Sequence, residues 1–167
     1  MKYFEDQNQL LLQVNDLLKN PQDLSKAISQ LQSENASLKK ERNEFQKLKS
    51  QILAKEAQAE IEHYNGVAFL AKAVDLDAQA IKDLAFEIGK NRDDLFLVLG
   101  SSKTDKPILS CYISKTLVSD KGMDAGKVVR ELGQYIQGGG GGQPFFATAG
   151  GKNPAGIPQA LKAAKDL

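Results

Sequence analysis

The sequence predicts an α/β protein: a mixed β-sheet with packed helices, preceded by a long helical, coiled-coil-like hairpin or arm. Three observations carry that expectation. All 14 glycines fall after residue 63, and the stretch before them holds a single proline. Beyond that point short apolar runs alternate with amphipathic stretches in the order β-α-β-β-α-β-α, the pattern of helices layered on a sheet. In the first third the apolar residues recur every three or four positions, with lysines and glutamates between them, as on a solvated helix. We therefore divide the chain into a helical arm, residues 1–63, and an α/β globular domain, residues 64–167, with the boundary at Tyr64-Asn65-Gly66. The second part has roughly 100 residues, enough for one modest core.

In the arm, Phe4, Leu10, Leu11, Val14, Leu17 and Leu18 stand at helical spacing, and Asn20-Pro21 breaks the run. Asn20 is the expected N-cap of a second helix, with Pro21 as its first residue and Asp23 in the first turn, where a negative charge meets the helix dipole. No glycine or proline follows until about Glu62, which gives about 42 residues and about 63 Å of helix. The seam Leu24, Ile28, Leu31, Leu38, Phe45 and Ile52 is spaced as a heptad repeat. Asn35, Arg42 and Lys49 hold the alternate core positions, so the seam is only half apolar. An intramolecular hairpin, a coil between two chains and an arm ordered by its partner all fit this pattern. His63 ends the arm as a C-terminal cap.

In the domain, residues 67–74 read as a strand. Asp77 caps a helix with Ile81, Leu84, Ala85 and Ile88 on one face, closing at Gly89. The continuous apolar run Leu95–Gly100 is a strand covered on both faces. Residues 101–106 make a polar turn, and Ile108–Ser114 returns as the second half of a hairpin. Asp124 starts a helix carrying Val128, Val129, Leu132 and Ile136. Five glycines, Gly138–Gly142, precede a short apolar piece at Phe145-Phe146-Ala147 and a turn at Gly150-Gly151. A last helix starts near Gly156, with Pro158 in its first turn.

Charge and composition narrow the function. The net charge is +1. The arm carries nine Lys/Arg against ten Asp/Glu and the domain thirteen against eleven, so neither has the basic excess of a stand-alone nucleic-acid binder. An RNA contact must then be a local patch or one part of a larger grip. Cys111 is the only cysteine, which excludes an intramolecular disulfide and points to a reducing compartment. With His63 as the only histidine, the usual tetrahedral zinc site is excluded too. No apolar run approaches the ~20 residues of a membrane span, and the charged start argues against a signal peptide. The expected location is the cytoplasm, with no membrane partner.

The glycine run is the one stretch with a specific chemical use. Successive backbone N–H groups can face an anion. The run lacks the Lys-Ser/Thr ending of a phosphate-binding P-loop, and apolar residues follow it instead of a helix. Close packing of bare backbone, an RNA-backbone contact and a mobile connection remain open. Lys152-Asn153 is the best small polar cluster beside it; Lys103, Lys106, Lys121, Lys127 and Arg130 are candidates to extend it, against the default of a scattered solvated surface. The candidate RNA-binding residues are Gly138, Gly139, Gly140, Gly141, Gly142, Gln143, Lys152, Asn153, Lys127 and Arg130. None of the residues suggests a catalytic or metal site.

Gly138–Gly142, Gln143, Pro144 and Ala147-Thr148-Ala149-Gly150-Gly151 together resemble the glycine-rich signature of the domain that accompanies DHH-type phosphoesterases and also closes alanyl-tRNA synthetases. Lys127-Val128-Val129-Arg130 and the strand–helix order before it fit the same family. The Asn-Pro break in the arm is similar to the helical subdomain that precedes this domain in alanyl-tRNA synthetases. Two positions depart from the pattern: Gln143 stands where the family usually has a basic residue, and Phe145-Phe146 where it has an Asp-Met-like pair. That leaves backbone N–H groups and aromatic stacking as the contacts of this loop. The resemblance implies a non-catalytic, tRNA-binding and, in some members, dimerising C-terminal region of alanyl-tRNA synthetase. Such a region helps position tRNA for aminoacylation and editing by N-terminal domains of the parent chain. It also implies no cofactor in this stretch, with ATP and magnesium used by the parent ligase and zinc in its editing domain. The implied partners are alanine-specific tRNA, the parent's N-terminal domains and a second copy as a homodimer. Two other functions compete. One is an accessory substrate-binding domain of a DHH-type phosphoesterase, whose Asp/His metal cluster a single histidine does not supply. The other is a coiled-coil assembly protein.

Overall fold

The computed structural model describes residues 2–103 and 106–167. By internal contacts the chain divides into two compact units, Met1–Phe45 and Gln46–Leu167.

Helix α1 (Lys2–Leu17) opens the first unit, and helix α2 (Leu24–Ala59) starts in it. The connection differs from the expected one. Lys19 and Asn20 have φ of 62° and 53°, and the Asn20 N–H donates to the Asn15 carbonyl at 2.8 Å. Asn20 thus closes α1 in the left-handed conformation that asparagine tolerates, and it does not cap α2. The cap is Asp23, whose carboxylate accepts the Lys26 N–H at 2.9 Å. Pro21 lies in the connection, outside the helix. The seam stays open: Leu31, Leu38 and Phe45 are 50%, 64% and 68% exposed, and Leu10 and Leu17 are exposed as well. The first unit is therefore an arm whose apolar residues are not buried on one another.

In the second unit, α2 ends at Ala59 and strand β1 (Glu62–Tyr64) follows. His63 is therefore a strand residue and not a helix cap. Strand β1 pairs antiparallel with β2 (Val67–Ala73) across the two-residue turn Asn65-Gly66, with φ of 50° and 76°. These are the positive values that a tight hairpin turn requires and that Asn-Gly supplies. Helix α3 (Ala78–Gly89) crosses over to β3 (Leu95–Ser101), which lies parallel to β2. As expected, Asp77 caps α3, accepting the Ala80 N–H at 2.9 Å. Strand β4 (Ile108–Ile113) returns antiparallel, as the expected hairpin partner of β3. The polar turn between them lies partly outside the described residues, which omit Thr104 and Asp105. A short helix α4 (Lys115–Lys121), ending on Gly122 with φ of 66°, had no expected counterpart. Helix α5 (Ala125–Leu132) is capped by Asp124. Strands β5 (Gly139–Gln143) and β6 (Phe146–Gly150) follow, then a 3-10 turn at Pro154–Gly156 and helix α6 (Ile157–Ala163).

The strands form one mixed sheet in the order β1-β2-β3-β4-β6-β5. Every residue of β3 is buried. Its side chains alternate between two cores, as the period of two requires. Leu95, Leu97 and Leu99 join Leu70, Ile81, Leu84 and Ile88, with Ala54 and Ala57 from the end of α2. Phe96 and Val98 join Phe69, Cys111, Val129, Leu132 and Ile157 on the other face. Cys111 is wholly buried in β4, and that burial, more than the nearby Asp124 charge, pushes its thiol far above the usual range. Native protein at pH 8 should therefore resist an aromatic disulfide reagent and take up one equivalent only in denaturant. Rapid labelling of folded protein would show that the β4 region opens.

Candidate nucleic-acid interface

The glycine run is not a loop. Gly139–Gly142 and Gln143 form β5, the edge strand, paired with β6 from Gly139 opposite Gly150 to Gln143 opposite Phe146. Pro144 and Phe145 make the tight turn between them. A sequence without side chains forms a strand here because the neighbouring backbone comes too close for anything else. A Cβ on Gly140 would stand 2.2 Å from the Thr148 carbonyl oxygen and 2.5 Å from the Ala149 Cα. Gly138 and Gly142 meet the backbone of Gly150 and of Phe146-Ala147 in the same way, whereas Gly139 and Gly141 face open space. Three of the five glycines are thus dictated by packing, and two are free of it.

Helix α5 fastens this edge. Asp124 accepts the N–H groups of Gly126 at 2.7 Å and Lys127 at 3.1 Å. The Ala125 N–H donates to the Pro144 carbonyl, and the Gly138 N–H to the Gly133 carbonyl, each at 2.9 Å. The Arg130 Nε–H donates to the Gly126 carbonyl at 2.8 Å, so the arginine lies back along its own helix. Lys127 and Arg130 therefore stand beside the Gly142 end of β5. At the Gly138 end, the N–H groups of Lys152 and Asn153 both donate to the Ile136 carbonyl at 2.9 Å. The Asn153 side-chain amide donates to the Tyr135 carbonyl at 3.2 Å, which makes it a loop anchor first. Lys152 and Gln143 are exposed. The fold thus brings the segments that carry all ten candidate residues to the β5 side of the sheet. Phe145 is 36% exposed in the turn, while Phe146 packs against Phe86 with ring centroids 5.2 Å apart.

A second feature lies at the opposite edge, away from the ten candidate residues; Lys121, named as an extension of the glycine-side cluster, stands here instead. A cleft of about 500 Å³ is lined by Tyr64, Phe69, Phe96, Lys121, Met123 and Lys165, among others. Lys165 Nζ donates to Glu62 Oε2 at 2.7 Å and lies 5.8 Å over the Tyr64 ring. The Tyr64 hydroxyl donates to the same carboxylate oxygen. The Lys165 hydrogen bond, then that of Tyr64, holds the Glu62 carboxyl below its ordinary range. Glu62 in turn raises both the Lys165 ammonium and the Tyr64 phenol. Lys121 Nζ donates to the Asn65 carbonyl at 3.1 Å. Asn65-Gly66, read from the sequence only as a domain boundary, is the signal that could have found this hairpin and with it Tyr64. Among the described residues, no three His, Cys, Asp or Glu side chains are grouped to hold a metal ion, and no helix is long and apolar enough to cross a membrane. The chemistry on offer is backbone N–H groups, lysines, an arginine and exposed aromatic rings.

Comparison with known proteins agrees with the resemblance read from the glycine run. The chain is 54% identical over its whole length to an alanine–tRNA ligase of Christiangramia forsetii. It is 41% identical over 97% of its length to that of Flavobacterium psychrophilum. It spans only 19% and 18% of these relatives, about a fifth of their length. Among solved structures it is similar to the C-Ala domain from Aquifex aeolicus alanyl-tRNA synthetase, with 26% identity and a TM-score of 0.58. That likeness covers 64% of this chain and 95% of the other. The DHHA1 domain model matches residues 66–167, more than half of the sequence, and the chain belongs to the DHHA1 domain family.

Proposed function

We propose that this chain is the tRNA-binding C-terminal region of an alanyl-tRNA synthetase, working with N-terminal domains of a longer ligase. The observation that carries this reading is the 54% identity to an alanine–tRNA ligase across the full length of the chain. Identity over arm and domain together favours the ligase over the accessory domain of a DHH-type phosphoesterase. On this reading the chain holds tRNA and performs no bond chemistry itself. ATP, magnesium and zinc belong to the absent parts of the parent.

The glycine edge supports the binding role. An edge strand carries N–H groups with no strand beyond them, and without side chains a phosphate backbone can come close. Gly139 and Gly141 leave that approach open, and Lys127, Arg130 and Lys152 supply positive charge around it. With so few cations the grip is modest. The full chain should bind tRNA with a slope of log K on log salt on the order of −2 to −4, at ~0.7–0.9 per phosphate. Absence of binding at low salt would refute the proposal.

Two glycine variants separate packing from contact. Gly140→Ala forces a methyl group onto the β6 backbone and should lower stability by about 1–3 kcal/mol, the usual cost of overpacking, read as a drop in Tm. Gly141→Ala should leave Tm nearly unchanged while weakening tRNA binding, and Lys152→Ala should weaken it by roughly 1 kcal/mol. If Gly141→Ala and Lys152→Ala both bind like the parent sequence, the glycine edge is structural alone.

The open seam of the arm favours a second role in self-association. Leu31, Leu38 and Phe45 lie one heptad apart and are all exposed, and interruption by Asn35 and Arg42 predicts a weak coil. Sedimentation equilibrium should show a concentration-dependent dimer that Leu38→Glu abolishes. A monomer mass at every concentration would remove this role.

A further inference from the structure

We propose that the cleft at the β1 edge takes one unstacked nucleobase of an RNA chain together with its phosphodiester. This inference rests on the tRNA-binding reading and adds a second contact to it, at the edge of the sheet away from the glycine strand. Three properties of the cleft point to that ligand. Its volume, about 500 Å³, lies within the range of sites that enclose small molecules. Its inner wall is apolar: the buried Phe69 and Phe96 rings, tilted by 57° with centroids 5.3 Å apart, line it together with Met123. Its outer wall is the Tyr64 ring, 54% exposed, on a hairpin whose turn fixes the backbone. The hydroxyl of that ring is tied to Glu62, and Lys165 covers one side of it. An exposed aromatic ring held in one orientation is a platform for a base, since every base has a π-face.

Charge selects RNA over a free nucleotide. Lys165 is neutralised by Glu62. Lys121 is anchored on a neutral carbonyl, and no carboxylate among the described residues forms an ion pair with it. The rim therefore offers the Lys121 ammonium, which is held in no ion pair, to a phosphate. An internucleotide phosphodiester carries one negative charge, whereas a terminal phosphate carries nearly two. With strands ~4.8 Å apart, the two edge strands β1 and β5 lie roughly 24 Å apart, so an RNA meeting both edges has to present two separate segments.

The test measures tRNA affinity of the full chain by fluorescence anisotropy, with Tm recorded for each variant. Tyr64→Phe should bind within about twofold of the parent sequence, because the ring remains. Tyr64→Leu, which keeps the apolar bulk but not the flat face, should lose at least about fivefold. Lys121→Ala should weaken binding and reduce the salt slope by about one. Equal affinity for parent, Tyr64→Leu and Lys121→Ala overturns this inference while leaving the tRNA-binding role intact. Loss of all tRNA binding by the parent sequence overturns both. Adenosine and uridine monophosphates are titrated separately by NMR. Tight binding of either at Tyr64, with tRNA affinity insensitive to Tyr64→Leu, would reassign the cleft to a free nucleotide and overturn the RNA assignment.

Discussion

Two hydrophobic cores meet on a single strand, and the rest of the domain depends on it. All seven residues of β3 are buried, with Leu95, Leu97 and Leu99 facing α3 and the end of α2, and Phe96 and Val98 facing the layer of α5 and α6. A strand buried on both faces has to be central, because its neighbours must complete its hydrogen bonds out of reach of water. Parallel β2 on one side and antiparallel β4 on the other do so. Tyr112 on β4 comes so close to Gly89 at the end of α3 that a Cβ there would stand 2.4 Å from the ring. The position of the helix layer is thus set by the same central strands.

What remains at the rims is β1 and β5, and the two are protected differently. An exposed sheet edge invites pairing with other chains. Strand β1 has three exposed residues, and Glu62 and its ion pair with Lys165 put charge on it. Strand β5 carries no side chain before Gln143 and is secured by α5 through backbone contacts instead. Glycine is a poor strand former on its own account. It is retained at 138, 140 and 142 because only bare backbone fits against β6. At 139 and 141 no such need exists, so packing does not account for the whole run. The proposed RNA contact does.

Most of the fold was legible because it is written in side chains. The short apolar runs of β2 and β4, the unbroken apolar run of β3, the apolar faces of α3 and α5 and the capping aspartates Asp77 and Asp124 all report local physics directly. Strand β5 was illegible for the same reason, since a strand of glycines has no pattern and reads as a loop. Strand β1 is three residues long and follows a helix-rich stretch, so only Asn65-Gly66 could have announced it. Asn20 and Asp23 are both good caps by type, and the left-handed backbone at Asn20, which decides between them, is a property of the connection. The glycine-edge candidates could be named together because several are adjacent in sequence and the rest lie close before or after them. The β1 cleft was missed because Tyr64, Lys121 and Lys165 come from three distant segments that only the folded sheet brings together.

The scarcity of charge is itself informative about how such a module works. A domain with thirteen basic against eleven acidic groups cannot rely on counterion release, the main source of affinity in strongly basic RNA binders. The two proposed contacts, on opposite edges of the sheet, would give little affinity each but define a distance and a direction. When a weak binding module is tethered to a larger body already holding the same RNA, its own binding becomes intramolecular, at effective concentrations that reach the millimolar range for short linkers. A dissociation constant that looks poor for the isolated chain is then enough for high occupancy. It also lets the RNA leave as soon as the other contact is lost. On the proposed tRNA-binding reading, strong independent affinity would slow release of the RNA, so the near-neutral charge and the side-chain-free edge would answer a single demand.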